Sequence, residues 1–210
     1  MTEKDLALQN ELLEKYPYVS VRPGSADHAS FDVPADKVVE FALALRDKEG
    51  FSSINDVTGC DWGVDASPRF SAIWHVYSYE CHQYVRINVY AADNEKPAVP
   101  SLCSVWAGCN WHEREAYDLV GITFTNHPDM RRILMWDEYP YHPLRKDFPL
   151  AGIEVPHPDP DTVAQTGVKV LPAPMNGGPF VSCRGNTMRE TEPRALDQEW
   201  SEGNRKPAAE

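Results

Sequence analysis

Seven carboxylates, five Arg or Lys, three His and two Trp share the forty residues 111–150, WHEREAYDLVGITFTNHPDMRRILMWDEYPYHPLRKDFPL. Side chains of these types at this density can hold a metal, move protons, or pair with one another beneath a covering surface. The metal reading begins with His112 and Glu113, the first half of the zincin pattern HExxH. Its second ligand would stand at position 116, and that residue is Ala116. His112 and Glu115 lie three apart on one helical face, but in the reverse order of a carboxylate-metal Glu-x-x-His pair and without a second copy. Cys60, Cys81, Cys103, Cys109 and Cys183 form no CxxC pair, which speaks against an iron–sulfur cluster or a structural zinc, and their odd number argues against a complete disulfide framework. Cys103 and Cys109 read as small buried hydrophobes.

Proton transfer would fall to Glu113, Glu115 and Asp118, which are close enough along a helix to perturb one another's pKa. Each also has cations nearby in sequence, and the reading preferred here is an ion-pair network with Arg114, Arg131, Arg132, Arg145 and Lys146. No GxSxG, GxGxxG or GxxxxGK[ST] occurs, so the strongest local signals for a hydrolase, a dinucleotide site and a P-loop are missing. What remains is a surface rich in Arg, Trp, Tyr and Met whose charges must pair when desolvated.

The elements that position this stretch follow from periodicity. Leu8, Leu12 and Tyr16 recur at helical spacing, with Leu6 and Leu13 beside them, so residues 3–16 form an amphipathic helix that Pro17 stops. FDVPADKVVEFALALRDKEG gives a short strand, then a helix with Pro34 near its start, a Val38, Ala42, Leu45 stripe, and Gly50 as its C′ residue. RFSAIWHVYSYE places Phe70, Ala72, Trp74 and Val76 on one face, and YVRINVYA places Val85, Ile87 and Val89 on one face. With only Cys81, His82 and Gln83 between them, the two runs pair as an antiparallel hairpin. Strands near residue 30 and over 54–60 complete the sheet, and SLCSVWAGCNWHEREAYDLVG reads as two short consecutive helices. Half of the eighteen prolines fall between 140 and 179, so an extended, irregular arm is expected beyond Leu150. The fold class is α+β: a small mixed or antiparallel sheet with flanking helices over residues 1–150, followed by a Pro/Gly-rich C-terminal arm over 151–210.

Length and charge narrow the function. A chain of 210 residues accommodates one core with an appendage. A net charge of −12 and a pI near 5.0 exclude nucleic acid as a partner, which requires a basic patch. No apolar run approaches the ~18 residues of a membrane span, and MTEKDLALQNELLEKY has neither a basic n-region nor an apolar h-region. A protein that is neither membrane-spanning nor exported, in a reducing cytosol, is expected.

The stretch from Glu113 to Leu134, EREAYDLVGITFTNHPDMRRIL, followed by HPLRKDFPL from His142 to Leu150, closely resembles the signature of the 30-kDa (C) subunit family of NADH–quinone oxidoreductase, respiratory complex I. That pattern takes E-R-E, an acidic residue three places on, two apolar residues, a His seven positions later and a basic residue four beyond it. Glu113, Arg114, Glu115, Asp118, Leu119, Val120, His127 and Arg131 satisfy it, with Val120 where Phe is frequent. The resemblance covers roughly residues 30–150.

It implies a cofactor-free core subunit of the hydrophilic arm, with no catalytic, cofactor-binding or metal-binding residue of its own. FMN, iron–sulfur clusters and quinone would lie in partner subunits. The chain would pack against the 49-kDa (D) subunit homologue near the quinone site and beside iron–sulfur subunits, peripheral on the cytoplasmic face of the inner membrane and touching the membrane only through the complex. Glu113, Arg114, Glu115, Asp118, His127, Arg131, Arg132, His142, Arg145, Lys146 and Asp147 are its signature and partner-interface residues. Two alternatives stand beside it. One is the equivalent subunit of a membrane-bound hydrogenase or of a ferredoxin- or F420-linked complex. The other is a free-standing enzyme using Glu113 or Asp118 as acid or base.

Overall fold

A computed structural model describes residues 1–149 and 152–170, and these fall in two units that divide between Asp137 and Glu138. The first unit runs α1 (Glu3–Lys15), β1 (Ser20–Val21), β2 (Ala29–Asp32), α2 (Val38–Asp47), β3 (Ser53–Asp61), β4 (Phe70–Ser78), β5 (Gln83–Tyr90), β6 (Ala98–Pro100), α3 (Cys109–Val120) and β7 (Thr123–Thr125). Thr2 and Asp5 start α1 with a reciprocal capping box, each side chain accepting the other's backbone N–H. Leu12 on that helix is completely buried. In α2, Val38, Phe41, Ala42 and Leu45 form the buried stripe. Pro34 sits in the turn ahead of this helix, its carbonyl accepting the Lys37 N–H. Gly50 takes φ +78° just beyond it, a left-handed turn that a Cβ would strain.

The β4 and β5 runs pair antiparallel from Ser71↔Tyr90 to Ser78↔Gln83, with Trp74 opposite Ile87. They occupy the middle of a five-stranded sheet of order β1-β2-β5-β4-β3, in which β2 runs parallel to β5 and the other pairs are antiparallel. Phe70, Ala72, Trp74, Val76, Val85, Ile87 and Val89 are all fully buried, so the period-two pattern does mark the core face. The sheet is therefore mixed, flanked by helices, as its residues imply.

The turn after α3 lies close against β3. A Cβ on Gly59 would stand 3.2 Å from Val120 Cβ and from Ile122 Cδ1. Gly59→Val is expected to overpack this contact and destabilise the protein by about 1–3 kcal/mol. Urea unfolding should show a lower midpoint at unchanged slope, and an unchanged midpoint would mean that α3 can move away at no cost.

One expectation is corrected and another is made finer. Residues 101–108 are turns, so one helix, α3, stands where two were expected. The N–H groups of Val105 and Trp106 both bond to the Leu102 carbonyl, and helical propagation begins only past Gly108, at Cys109. In the second unit, β8 (Val155–Pro156) pairs antiparallel with β9 (Lys169–Val170), and between them lies α4 (Pro160–Thr166). This part of the expected arm is regular because Pro160 occupies the first helical position, where its missing N–H costs nothing. Asp159 caps that helix, and Gly167 at φ +66° ends it. The rest of the expected arm, from position 171 on, lies outside the described residues. Among the described residues no helix is long and apolar enough to cross a membrane.

Candidate functional site

Helix α3 carries the acidic residues singled out above, and its 3.6-residue period sends them in different directions. Glu113, with no exposed surface, points inward. Its Oε1 accepts the Trp74 indole N–H at 3.1 Å and the Leu102 N–H at 2.9 Å. Its Oε2 accepts the Ser101 hydroxyl at 2.6 Å and the Cys103 thiol at 3.4 Å. Four donors fill the acceptor capacity of an ionised carboxylate. No ion pair reaches Glu113 among the described residues, contrary to the network expected for it. Burial pushes the Cys103 thiol up to about 11, with the Glu113 charge adding to the effect against a hydrogen bond from Ser101. The sulfur therefore keeps its proton and donates it to the carboxylate. Burial likewise raises the Cys109 thiol, in keeping with its reading as an inert core residue.

Asp118, one and a half turns on, is equally buried and does have a cation. Its Oδ1 is 2.6 Å from Arg132 Nη1, and its Oδ2 accepts the N–H groups of Ile133, Leu134 and Met135 at 3.0, 2.6 and 2.8 Å. Three successive amides converging on one oxygen make an anion-binding concavity, filled here by a side chain of the same molecule. Burial alone would raise this carboxyl, but the three amides and Arg132 outweigh it and hold it below its ordinary value. Arg114 forms no ion pair among the described residues. Its Nε and Nη2 donate to the carbonyls of Arg131 and Arg132 at 3.1 and 3.0 Å, and its guanidinium lies 5.3 Å from the centre of the Trp111 ring. Asp118 and Arg114 thus grip the 131–135 segment by its N–H and C=O groups. His127 is half-buried. Its Nδ1 accepts the Asp129 N–H at 3.0 Å, which leaves Nε2–H to donate to the Asn110 carbonyl at 3.2 Å.

Comparison with known proteins gives this arrangement its family. The model described as "Respiratory-chain NADH dehydrogenase, 30 Kd subunit" matches residues 31–154. The chain belongs to that family. The C subunit of NADH-quinone oxidoreductase from Laribacter hongkongensis is 42% identical over 123 residues, 56% of this chain and 63% of that protein. A second such C subunit, from Rhizobium etli, is 44% identical over 124 residues, 58% and 65% of the two chains. A C/D subunit of the same enzyme from a Sulfurihydrogenibium species is 38% identical over 146 residues, 69% of this chain but 25% of that longer protein. The chain spans just under two thirds of the length of the first two relatives. Among solved structures, a chain of the membrane-bound sulfane sulfur reductase, an archaeal respiratory membrane complex, superposes with a TM-score of 0.60 at 21% identity, covering 79% of this chain and 93% of that one. At that identity the likeness is one of fold.

Within the 30-kDa family signature, the structure sorts the residues by depth. Glu113, Arg114 and Asp118 lie inside and Glu115 outside, while Arg131 is an exposed partner of Asp129 at 2.9 Å. His142, Arg145, Lys146 and Asp147 fall in the second unit, where the Arg145 N–H bonds to the His142 carbonyl and Lys146 and Asp147 are exposed. A cleft of about 270 Å³ there is lined by Tyr141, His142, Arg145, Asp147 and Phe148. Sequence reasoning missed Trp74 and Ser101 as partners of Glu113. The indole on the core face of β4 was visible as a buried Trp, and a buried Trp needs an acceptor for its N–H. Nothing in the sequence says which acceptor.

Proposed function

We propose that this chain is a core subunit of the hydrophilic arm of proton-pumping NADH:quinone oxidoreductase, packed against the 49-kDa (D) subunit homologue near the quinone site. The observation that carries the reading is the family match over 31–154, which contains the complete E-R-E signature. The 49-kDa homologue as partner is supported by the Sulfurihydrogenibium relative, whose name joins C and D in one protein. Redox groups, in this reading, reside elsewhere: FMN, the iron–sulfur clusters and quinone belong to partner subunits, including iron–sulfur neighbours of this chain. A structural role is supported by the signature's chemistry. Glu113 and Asp118, the two carboxylates best placed by sequence for acid–base work, are fully buried and hydrogen-bonded at both oxygens by groups of this chain, so neither is placed to exchange a proton with a substrate. The chain would be peripheral, held at the cytoplasmic face of the inner membrane by the complex.

A second reading, the equivalent subunit of a related membrane-bound hydrogenase or of a ferredoxin- or F420-linked complex, is favoured by the fold shared with the sulfane sulfur reductase chain. One experiment tests both. Affinity capture of the chain from detergent-extracted native membranes is expected to recover the 49-kDa homologue together with NADH–quinone reductase activity. Recovery of the monomer alone, from membranes whose quinone reductase lacks this chain, would overturn the proposal. A captured complex that accepts electrons from hydrogen, ferredoxin or F420 but not from NADH would establish the second reading.

A further inference from the structure

We propose that Cys103, Glu113 and His127 form a binding site for a divalent cation of the zinc type, which clips the 101–103 loop and the turn after β7 onto α3. One thiol sulfur, one carboxylate oxygen and one ring nitrogen from these residues lie within 4.8 Å of one another. They come from three separate segments, so the site exists only in the fold, and the search for a CxxC pair or an HExxH helix passes over it.

Four observations support the site. First, the Sγ–Oε2 separation of 3.4 Å is close to the edge of a tetrahedral zinc site, about 3.5 Å for bonds of roughly 2.3 Å to sulfur and 2.0 Å to oxygen. Second, the position between these two atoms is filled by the thiol proton. A cation would take that place, with the proton passing to solvent and sulfur and oxygen both becoming ligands. Third, Glu113 is a fully buried carboxylate with no ion pair among the described residues. A dication with one thiolate, one carboxylate and a neutral imidazole carries no net charge, so binding would remove an uncompensated buried charge. Fourth, Cys103 and His127 are only partly buried, which leaves an approach from solvent.

The donor set selects the ion. Sulfur and nitrogen beside a single oxygen suit zinc and disfavour calcium and magnesium, which prefer oxygen throughout. The surroundings already hold the ligands in orientation: Ser101, Leu102 and Trp74 fix the carboxylate, and backbone groups of Asn110 and Asp129 fix the imidazole. Coordination through Nδ1 gives up the Asp129 contact and keeps the bond from Nε2–H to Asn110, whereas coordination through Nε2 would give up both, because the proton would then sit on Nδ1. Water would complete the four-coordinate site. Nothing in the ligand set depends on which complex the chain joins.

The test uses the untagged full chain, loaded with Zn2+ or Co2+ and dialysed. About one zinc per chain is expected, and the cobalt form should show the near-ultraviolet thiolate-to-metal charge-transfer band. Cys103→Ser should abolish that band, and His127→Gln should weaken zinc binding by about tenfold or more. Both variants should keep the wild-type circular dichroism in chelator, so that lost binding is not lost folding. Cys183→Ser should leave binding intact. The proposal is overturned by substoichiometric metal in the folded wild type, by binding that both the Cys103 and the His127 variants retain, or by binding that follows Cys183 instead.

Discussion

Asp118→Asn is expected to destabilise the protein by about 3–5 kcal/mol, the usual cost of breaking a buried ion pair by removing one member. The Arg132 side chain is 9% exposed and its guanidinium stands 2.6 Å from Asp118 Oδ1. An Asn amide has one oxygen where the carboxylate has two. If that oxygen stays with the three amides of 133–135, the NH2 group faces the guanidinium, donor against donor. If it turns to Arg132, the NH2 group faces three N–H groups that have lost their acceptor. Neither flip satisfies the site. Because the folded-state pKa of Asp118 is depressed, the stability it contributes is present above the unfolded value of about 3.9 and is lost as pH falls through the folded value. The difference between wild type and variant in urea unfolding should therefore be constant from about pH 5 to 8 and shrink only below about pH 4. A loss under about 1 kcal/mol, the range of an exposed pair, would show that solvent reaches this carboxylate.

The second large effect is expected at Arg114. Arg114→Ala removes two charge-assisted hydrogen bonds to the carbonyls of Arg131 and Arg132, each worth about 1.5–3 kcal/mol, together with the stacking on Trp111. A total near 3 kcal/mol is expected after local relaxation, with the 131–135 segment loosened from α3. Lys at this position can reach one carbonyl but cannot present two N–H groups from one plane, so Arg114→Lys should recover less than half of the loss. In the proposed complex, the consequence is less assembled enzyme with normal turnover. Native gels and NADH–quinone assays on the same membranes give activity per assembled complex, and that ratio should stay near wild type. A tenfold fall at full assembly, about 1.4 kcal/mol on the barrier, would place Arg114 in electron or proton transfer and end the structural reading.

The sequence by itself determined the framework and the family. Leu12 in α1, the Val38, Ala42, Leu45 stripe of α2, and the alternation of Phe70, Ala72, Trp74 and Val76 in β4 are all legible because the helix and strand periods leave their mark on which positions must be apolar. The signature is legible in the sequence as a spacing of residue types, and three of its residues, Glu113, Arg114 and Asp118, are buried on α3. What the signature's charges do was decided by the tertiary structure. Counting acids and bases along 111–150 implies that they pair with one another, yet of the buried Glu113, Arg114 and Asp118 only Asp118 has an ion pair among the described residues, with Arg132. Glu113 takes its donors from Trp74, Ser101, Leu102 and Cys103, while Arg114 donates to two carbonyls and Asp118 accepts three amides. Every residue but proline carries the same backbone N–H and C=O, so a one-letter sequence cannot show which of them will come to face a buried charge. The same limit applies to residues 101–108, whose apolar pattern suits a helix but whose backbone is held in turns by a carboxylate eleven residues away from Leu102. It applies again to Cys103, Glu113 and His127, which share a site only because the loop, α3 and the turn after β7 meet in space.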